Sequence, residues 1–290
     1  MSFLSYLITG ISLGSIYALI ALGYTMVYGI AKMLNFAHGD VIMIGGYVAF
    51  TAISTLHMPV WISIIISIIA CIILGVVIEK VAYKPLRNAS PLAILITAIG
   101  VSYFLQNVAL LIFGSAAKSF KSVVPKFSLN IGFNVTGETI VTIVVTILIV
   151  IGLTLFMNKT KSGKAMLAVS EDKGAAQLMG INVNSTISLT FAIGSGLAAV
   201  ASVLLCSMYP QISPYTGAMP GIKAFTAAVF GGIGSIPGAM IGGIILGVIE
   251  NLSKAYISSQ LSDAIVFAVL IVVLLVKPTG LFGKKISEKV

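Results

Sequence analysis

One stretch brings an amide, an imidazole and a carboxylate together: Asn35-Phe36-Ala37-His38-Gly39-Asp40. It lies between apolar runs, with only ten residues between Ile30 and Val41. Such groups are costly in hydrocarbon unless they are paired or face water. Two readings stand: a polar turn at a membrane surface, or a break in a discontinuous helix, where interrupted backbone is tolerated because it lines a cavity. Catalysis fits poorly. His38 and Asp40 have no second His, Cys or carboxylate cluster beside them, and His57 stands alone. That is too little for a metal site, which draws on three or four ligands. No Ser–His–acid set and no G-x-x-x-x-G-K-[ST] phosphate loop occurs. Gly194-Ser195-Gly196 with Ala199 superficially fits a dinucleotide fingerprint, but it sits inside an apolar run and reads as helix packing. The residues therefore call for no enzyme, no metal and no cofactor.

A second break, Phe230-Gly231-Gly232-Ile233-Gly234-Ser235-Ile236-Pro237-Gly238, is of the same type. Gly232, Gly234 and Gly238 permit close backbone approach, and Pro237 lacks an N–H donor. Gly234, Gly238 and Gly242 recur at four-residue spacing, as do Gly243 and Gly247, and Gly10 and Gly14. That spacing suits tight helix packing. Two Gly-interrupted segments, one in each half, are the pattern of a transporter with internal repeats. Glu250 and Asp263 flank the last loop and read as exposed at an interface. With charges only at segment ends, nothing inside a span would couple an ion, which argues against a secondary transporter or channel.

The elements that position these residues are membrane helices. Of 290 residues, 58% are hydrophobic and 9% charged, against about 25% charged in a soluble domain. Apolar runs extend over Leu4–Ile30, Val41–Leu56, Val60–Ile78, Leu92–Phe113, Ile140–Met157, Ile187–Met208, the broken Ala224–Ile249, and Ala264–Val276. The expectation is one all-α polytopic domain over residues 1–290, with about eight transmembrane helices, some discontinuous at Gly or Pro. The net charge of +9 sits in short clusters between the runs. Positive-inside topology explains it, and no nucleic-acid face is implied. If Lys80, Lys84 and Arg87, the basic loop from Lys159 to Lys173, and the tail lysines Lys277, Lys284, Lys285 and Lys289 are cytoplasmic, the amino terminus lies outside. Lys118, Lys121 and Lys126 then fall in an external loop, against the rule. Cys71 and Cys206 lie in apolar runs and read as small buried residues.

The polar stretch 158–185 has structure of its own. Glu171 to Met179 places Ala175, Ala176 and Leu178 among charged neighbours and closes on Gly180. An acidic first turn and a glycine past the end are the marks of a short amphipathic helix. Such a helix could lie in a partner's groove; the alternative is a solvated connector.

Three blocks, in order, carry a resemblance. Gly14-Ser15-Ile16-Tyr17-Ala18-Leu19, Gly23-Tyr24-Thr25-Met26-Val27-Tyr28-Gly29 and Asn35–Asp40 form the first. Ala168-Val169-Ser170-Glu171-Asp172 with Ala175-Ala176 and Gly180-Ile181-Asn182 form the second, and Ala227–Gly238 the third. Together they resemble branched-chain amino-acid ABC transporter permeases of the LivH type. Ser170, Lys173 and Gly174 depart from the usual Ala, Pro and Glu types of that loop. The resemblance implies a multi-pass permease of the cell membrane that imports leucine, isoleucine or valine. Its partners would be a second homologous permease, two cytoplasmic ABC ATPases and an external substrate-binding protein. Related permeases for urea or short amides carry similar motifs. On this reading Glu171, Asp172, Ala175, Ala176 and Gly180 belong to the coupling helix within 158–185. Asn35, Phe36, His38, Asp40, Gly231, Gly232 and Gly234 become candidates for the substrate pathway or its gate.

Overall fold

Hydrocarbon offers no hydrogen bonds, so a chain this apolar satisfies its backbone internally as helices. The computed structural model describes residues 3–87, 89–124, 127–130 and 134–283. The helices are α1 (Phe3–Ala31), α2 (His38–Phe50, prolonged by a π-turn over Thr51–Thr55), α3 (Val60–Ile78, prolonged by a π-turn over Glu79–Tyr83), α4 (Pro91–Phe113), α5 (Gly137–Lys159), α6 (Lys161–Glu171), α7 (Lys173–Leu178), α8 (Val183–Met208), α9 (Ala218–Gly231), α10 (Ile236–Tyr256) and α11 (Ser262–Val276). Six of them (α1, α3, α4, α5, α8 and α10) are long and apolar enough to cross a membrane, and α11 is a shorter apolar helix. Two small antiparallel pairs complete the fold. Strand β1 (Lys118–Ser119) pairs with β4 (Gln211–Ile212), and β2 (Ser128–Asn130) pairs with β3 (Asn134–Thr136).

Helix α1 is the axis, and glycine sets its contacts. Against α10, Gly10 faces Val248, Gly14 faces Ile244 and Gly247, and Ala18 faces Gly243. A Cβ on Gly247 would fall 2.2 Å from Gly14 Cα, so the backbones touch directly. Against α8, Gly23 meets Gly194 at backbone distance. Close backbone approach replaces the hydrophobic effect as the source of helix association in lipid. The glycine repeats act as the sequence implies. Helices α3 and α4 are peripheral: Ile65, Ile69 and Ile73 of α3 and Leu92, Ile96 and Leu111 of α4 stay exposed, as lipid-facing residues should. Both cysteines are free and buried.

Two expectations change. Glu250 is not interfacially exposed; it is 1% accessible, and Tyr17, Lys223 and Lys254 all donate to its carboxylate. Lys223 also reaches Asp263 at 2.7 Å. Helices α9 and α10 run beyond the apolar stretch at both ends, which carries Lys223 and Glu250 inside the bundle, so charges are not confined to segment ends. The short helix expected over Glu171–Met179 forms, but over Lys173–Leu178 and without Glu171 in its first turn. Glu171 ends α6, and Asp172 caps α7 by accepting from Ala175 N–H at 2.9 Å. Lys126 and the tail lysines Lys284, Lys285 and Lys289 lie outside the described residues.

Candidate functional site

The backbone after α1 does not stay at the bundle's end. Lys32 takes a left-handed φ of 59°, and the chain turns back beside the helix it has just left. His38 then packs against Gly23, where a Cβ would come within 2.3 Å of Nε2. Gly23 lies eight residues before Ala31, about 12 Å along a helix rising 1.5 Å per residue. Helix α2 therefore begins inside the bundle and runs back toward the amino-terminal end of α1, passing Ser67 at Gly45 and Ser202 at Gly46.

A second segment does the same from the other end. After α8 the chain passes β4, whose Ile212 is fully buried against Gly46, and descends to Gly217. Helix α9 starts there and runs the opposite way, past Tyr24 at Gly221 to the turn where Gly234 meets Gly29. The two helices meet start to start. A Cβ on Gly217 would lie 1.8 Å from Gly39 O, and one on Gly221 2.9 Å from Gly39 Cα. Neither start has a side-chain cap, whereas α4, α6, α7, α8 and α10 are capped by Ser90, Thr160, Asp172, Asn182 and Ser235. At the Gly39–Gly217 contact there is no room for a capping side chain.

Each residue of the Asn35–Asp40 motif is held by a different element. Asn35 Oδ1 accepts from the Tyr83 hydroxyl at 2.9 Å. Phe36 packs on Phe225 of α9, ring centroids 5.2 Å apart. His38 stands edge-on to Tyr24 at 4.8 Å, and Tyr24 in turn contacts Phe225. Asp40 is 2% accessible and accepts from Gln106 Nε2 of α4 at 2.9 Å. The motif thus joins α1, α3, α4 and α9 around the start of α2. Gly231, Gly232 and Gly234 are not part of this cluster. They form the α9–α10 turn at the far end of α1, where Gly232 and Gly234 take φ of +103° and +95°. Leu281 and Phe282 N–H donate to Phe230 O and Gly231 O there, so a carboxyl-terminal segment clasps the turn.

At the same end, α6 and α7 lie beside the bundle. Gly180 takes φ of +81°; its N–H donates to Gln177 O and that of Ile181 to Ala176 O. This paired closure is the Schellman arrangement and needs a residue tolerant of the left-handed region. Asp172 caps the helix, Ala176 is its buried side, and Leu178 and Met179 are 90% and 83% exposed. Lys173 Nζ donates to Ala31 O at 2.8 Å, tying α7 to the last turn of α1. Burial, and then the Arg87 and Lys32 charges, lower the Lys173 pKa below the usual lysine value. Glu171 belongs to α6, and Ala175 supplies the capped N–H.

Sequence reasoning missed Gly217 and Gly221, the glycines that receive Gly39, and the Lys223–Glu250 pair. The glycines stand singly in Ser213-Pro214-Tyr215-Thr216-Gly217-Ala218-Met219-Pro220-Gly221, where nothing in the spacing announces a helix start inside the bundle.

Comparison with known proteins gives the following. Residues 6–274 match the family described as branched-chain amino acid transport system / permease component. The high-affinity branched-chain amino acid transport system permease protein LivH of Salmonella typhimurium is 50% identical, over 99% of this chain and 98% of its own. The corresponding permease protein BraD of Pseudomonas aeruginosa is 48% identical, over 99% and 98%. Among solved structures, PsaBC from Streptococcus pneumoniae in complex with Fab shares the fold, with a TM-score of 0.50 and 15% identity over 95% of this chain and 92% of that one.

Proposed function

The chain belongs to the permease-component family of branched-chain amino acid transport systems, and from that premise we propose that it imports leucine, isoleucine or valine as the membrane subunit of an ABC importer. The observation that carries this reading is 48–50% identity, over nearly the whole chain, to permeases named for those substrates. Urea and short amides have no such support. We place the end of the bundle that holds Lys32, Lys84, Arg87 and Lys173 in the cytoplasm, following the positive-inside rule. The amino terminus is then outside, the segment 158–185 faces the ATPases, and a binding protein delivers substrate at the opposite end. A second homologous permease completes the membrane part.

The mechanism is alternating access: ATPase closure and opening shift a two-state equilibrium of the permease. Helix α7 is the coupling element. Leu178 and Met179 enter a groove of the ATPase, and the Lys173–Ala31 bond passes displacement to α1. Helix α1 carries Gly23 and Tyr24, which contact His38 of α2 and Gly221 of α9. Motion at α7 therefore reaches the place where the two short helices meet. In this scheme Asn35, Phe36, His38 and Asp40 hold the gate, and the Gly231–Gly234 turn is the hinge at the end of α9.

The test is uptake of labelled leucine and labelled urea into vesicles containing the chain with its partners, with and without ATP. A parallel variant replaces 171–180 with a Gly/Ser linker. ATP-dependent leucine uptake that the linker abolishes is the expected result. Urea uptake would change the substrate, and ATP-independent transport indifferent to the linker would refute the importer.

A further inference from the structure

A cavity of about 680 Å³ opens at the basic end, between the end of α3, α7 and the start of α8. Lys84, Arg87, Lys173, Gln177, Asn182 and Asn184 line it. Three cations face one space, and the one carboxylate paired with any of them among the described residues, Glu79, is already engaged by Arg87 and by Ser188. Arg87 gives its other terminal nitrogen to Asn184, while its Nε is buried without a partner among the described residues. Lys84 has no ion pair among the described residues. The lowered Lys173 pKa, part of it owed to the charges of Arg87 and Lys32, fits a cluster short of negative charge.

The surroundings say which anion. Along α3, Ile69, Ile73, Val77 and Val81 recur every fourth residue and are 52%, 59%, 49% and 72% exposed. The π-turn that carries Val81 runs on to Lys84, three residues later, which lines the cavity. An apolar track ending in a basic pocket at the end of a membrane helix matches a phospholipid, chain on the track and phosphate in the pocket. On α7, Lys173 and Gln177 face the cavity, whereas the exposed Leu178 and Met179 are left for another partner.

We propose that this cavity is a binding site for the phosphate headgroup of an anionic phospholipid, held by Lys84, Arg87 and Lys173 with an acyl chain along Ile73, Val77 and Val81. The lipid joins the end of α3 to α7, so it stiffens the contact through which α7 moves the bundle. The inference does not depend on which solute is carried.

The test uses the full complex, permeases with ATPases, in nanodiscs of phosphatidylcholine with rising phosphatidylglycerol. The readouts are the phosphatidylglycerol retained in native mass spectrometry and the lipid dependence of ATP hydrolysis. Lys84→Gln removes a rim cation, and Gln177→Glu places a carboxylate in the cavity. Each should raise the half-saturating phosphatidylglycerol fraction, the first by about fivefold, the value of one cation at an anionic surface, and the second by more. Retention and lipid dependence equal to wild type in both variants would overturn the site. Full replacement of the lipid effect by inorganic phosphate in pure phosphatidylcholine would make the ligand a soluble anion instead. Loss of the ATPase subunits from both variants, whatever the lipid, would mean that the cavity receives an acidic side chain of the ATPase.

Discussion

Adding one methyl group at Gly217 tests the meeting of α2 and α9 most directly. Gly217 has φ −85° and ψ −16°, values open to alanine, so the substitution acts by steric contact alone. The new Cβ would stand 1.8 Å from Gly39 O and 2.7 Å from Gly39 C. Ordinary contact begins at 3.4 Å, so the helix starts must separate by 3.4 − 1.8 = 1.6 Å. Both neighbours are backbone and no rotamer can relieve the clash. Overpacking costs about 1–3 kcal/mol, and Gly217→Ala belongs at the upper end. Gly39→Ala is milder, its Cβ lying 2.7 Å from Gly217 O. Gly100→Ala has nothing within 4 Å and should gain up to about 1 kcal/mol in helix propensity. The assay is thermal unfolding of the purified complex, with ATP-driven leucine uptake on the same preparations. The expected order of stability is Gly100→Ala, wild type, Gly39→Ala, Gly217→Ala, and uptake falls in the last two. Equal melting and uptake for Gly217→Ala and wild type would refute the start-to-start contact.

Further outcomes follow from other contacts. Glu250→Gln leaves Lys223 and Lys254 without their shared carboxylate and should cost about 3 kcal/mol in thermal unfolding. Adding Lys223→Met should restore part of that loss, and a double variant weaker than the single one would count against the ion pair. Asp172→Ala removes the cap of a six-residue helix, worth about 1 kcal/mol. Leucine moved per ATP should fall while hydrolysis continues, and unchanged stoichiometry would argue against α7 as the coupler. Leu178→Asp places a charge where a side chain 90% exposed in the free chain would be buried by the ATPase. ATPase affinity should weaken about 10- to 100-fold, the value of one buried leucine; undiminished co-purification would remove Leu178 from the contact.

The long helices were legible in the sequence because hydrocarbon demands uninterrupted apolar runs. Helix α3 spans Val60–Ile78, the bounds of its run, since Pro59 and Glu79 end the apolar stretch abruptly. The glycine pairs of α1 and α10 were legible too, because four-residue spacing is one helix face. The depth of His38 was not. A short polar stretch reads alike at a surface or inside a bundle, and only Gly23 and Gly194, distant in sequence, decide it. Lys223 and Glu250 are 27 residues apart, and each stands at the edge of an apolar run, so their pairing waits on the α9–α10 hairpin. Asp172 was read inside one helix and in fact divides two, because its side chain bonds the backbone that would otherwise continue α6.

Helices α2 and α9 press like poles together. Each amino-terminal end carries roughly half a positive elementary charge, and at Gly39 and Gly217 the two ends touch in a region with little water. Their sum approaches one positive charge, supplied by backbone alone. Asp40, in the first turn of α2, supplies the opposite sign. A carboxylate whose side-chain partners among the described residues are the Gln106 amide and the Ser102 hydroxyl needs no lysine or arginine here, because the peptide dipoles already act as its counter-ion. The centre of the protein is therefore close to neutral, and its neutrality is tied to geometry: any movement that parts α2 from α9 also strips Asp40 of half its compensation.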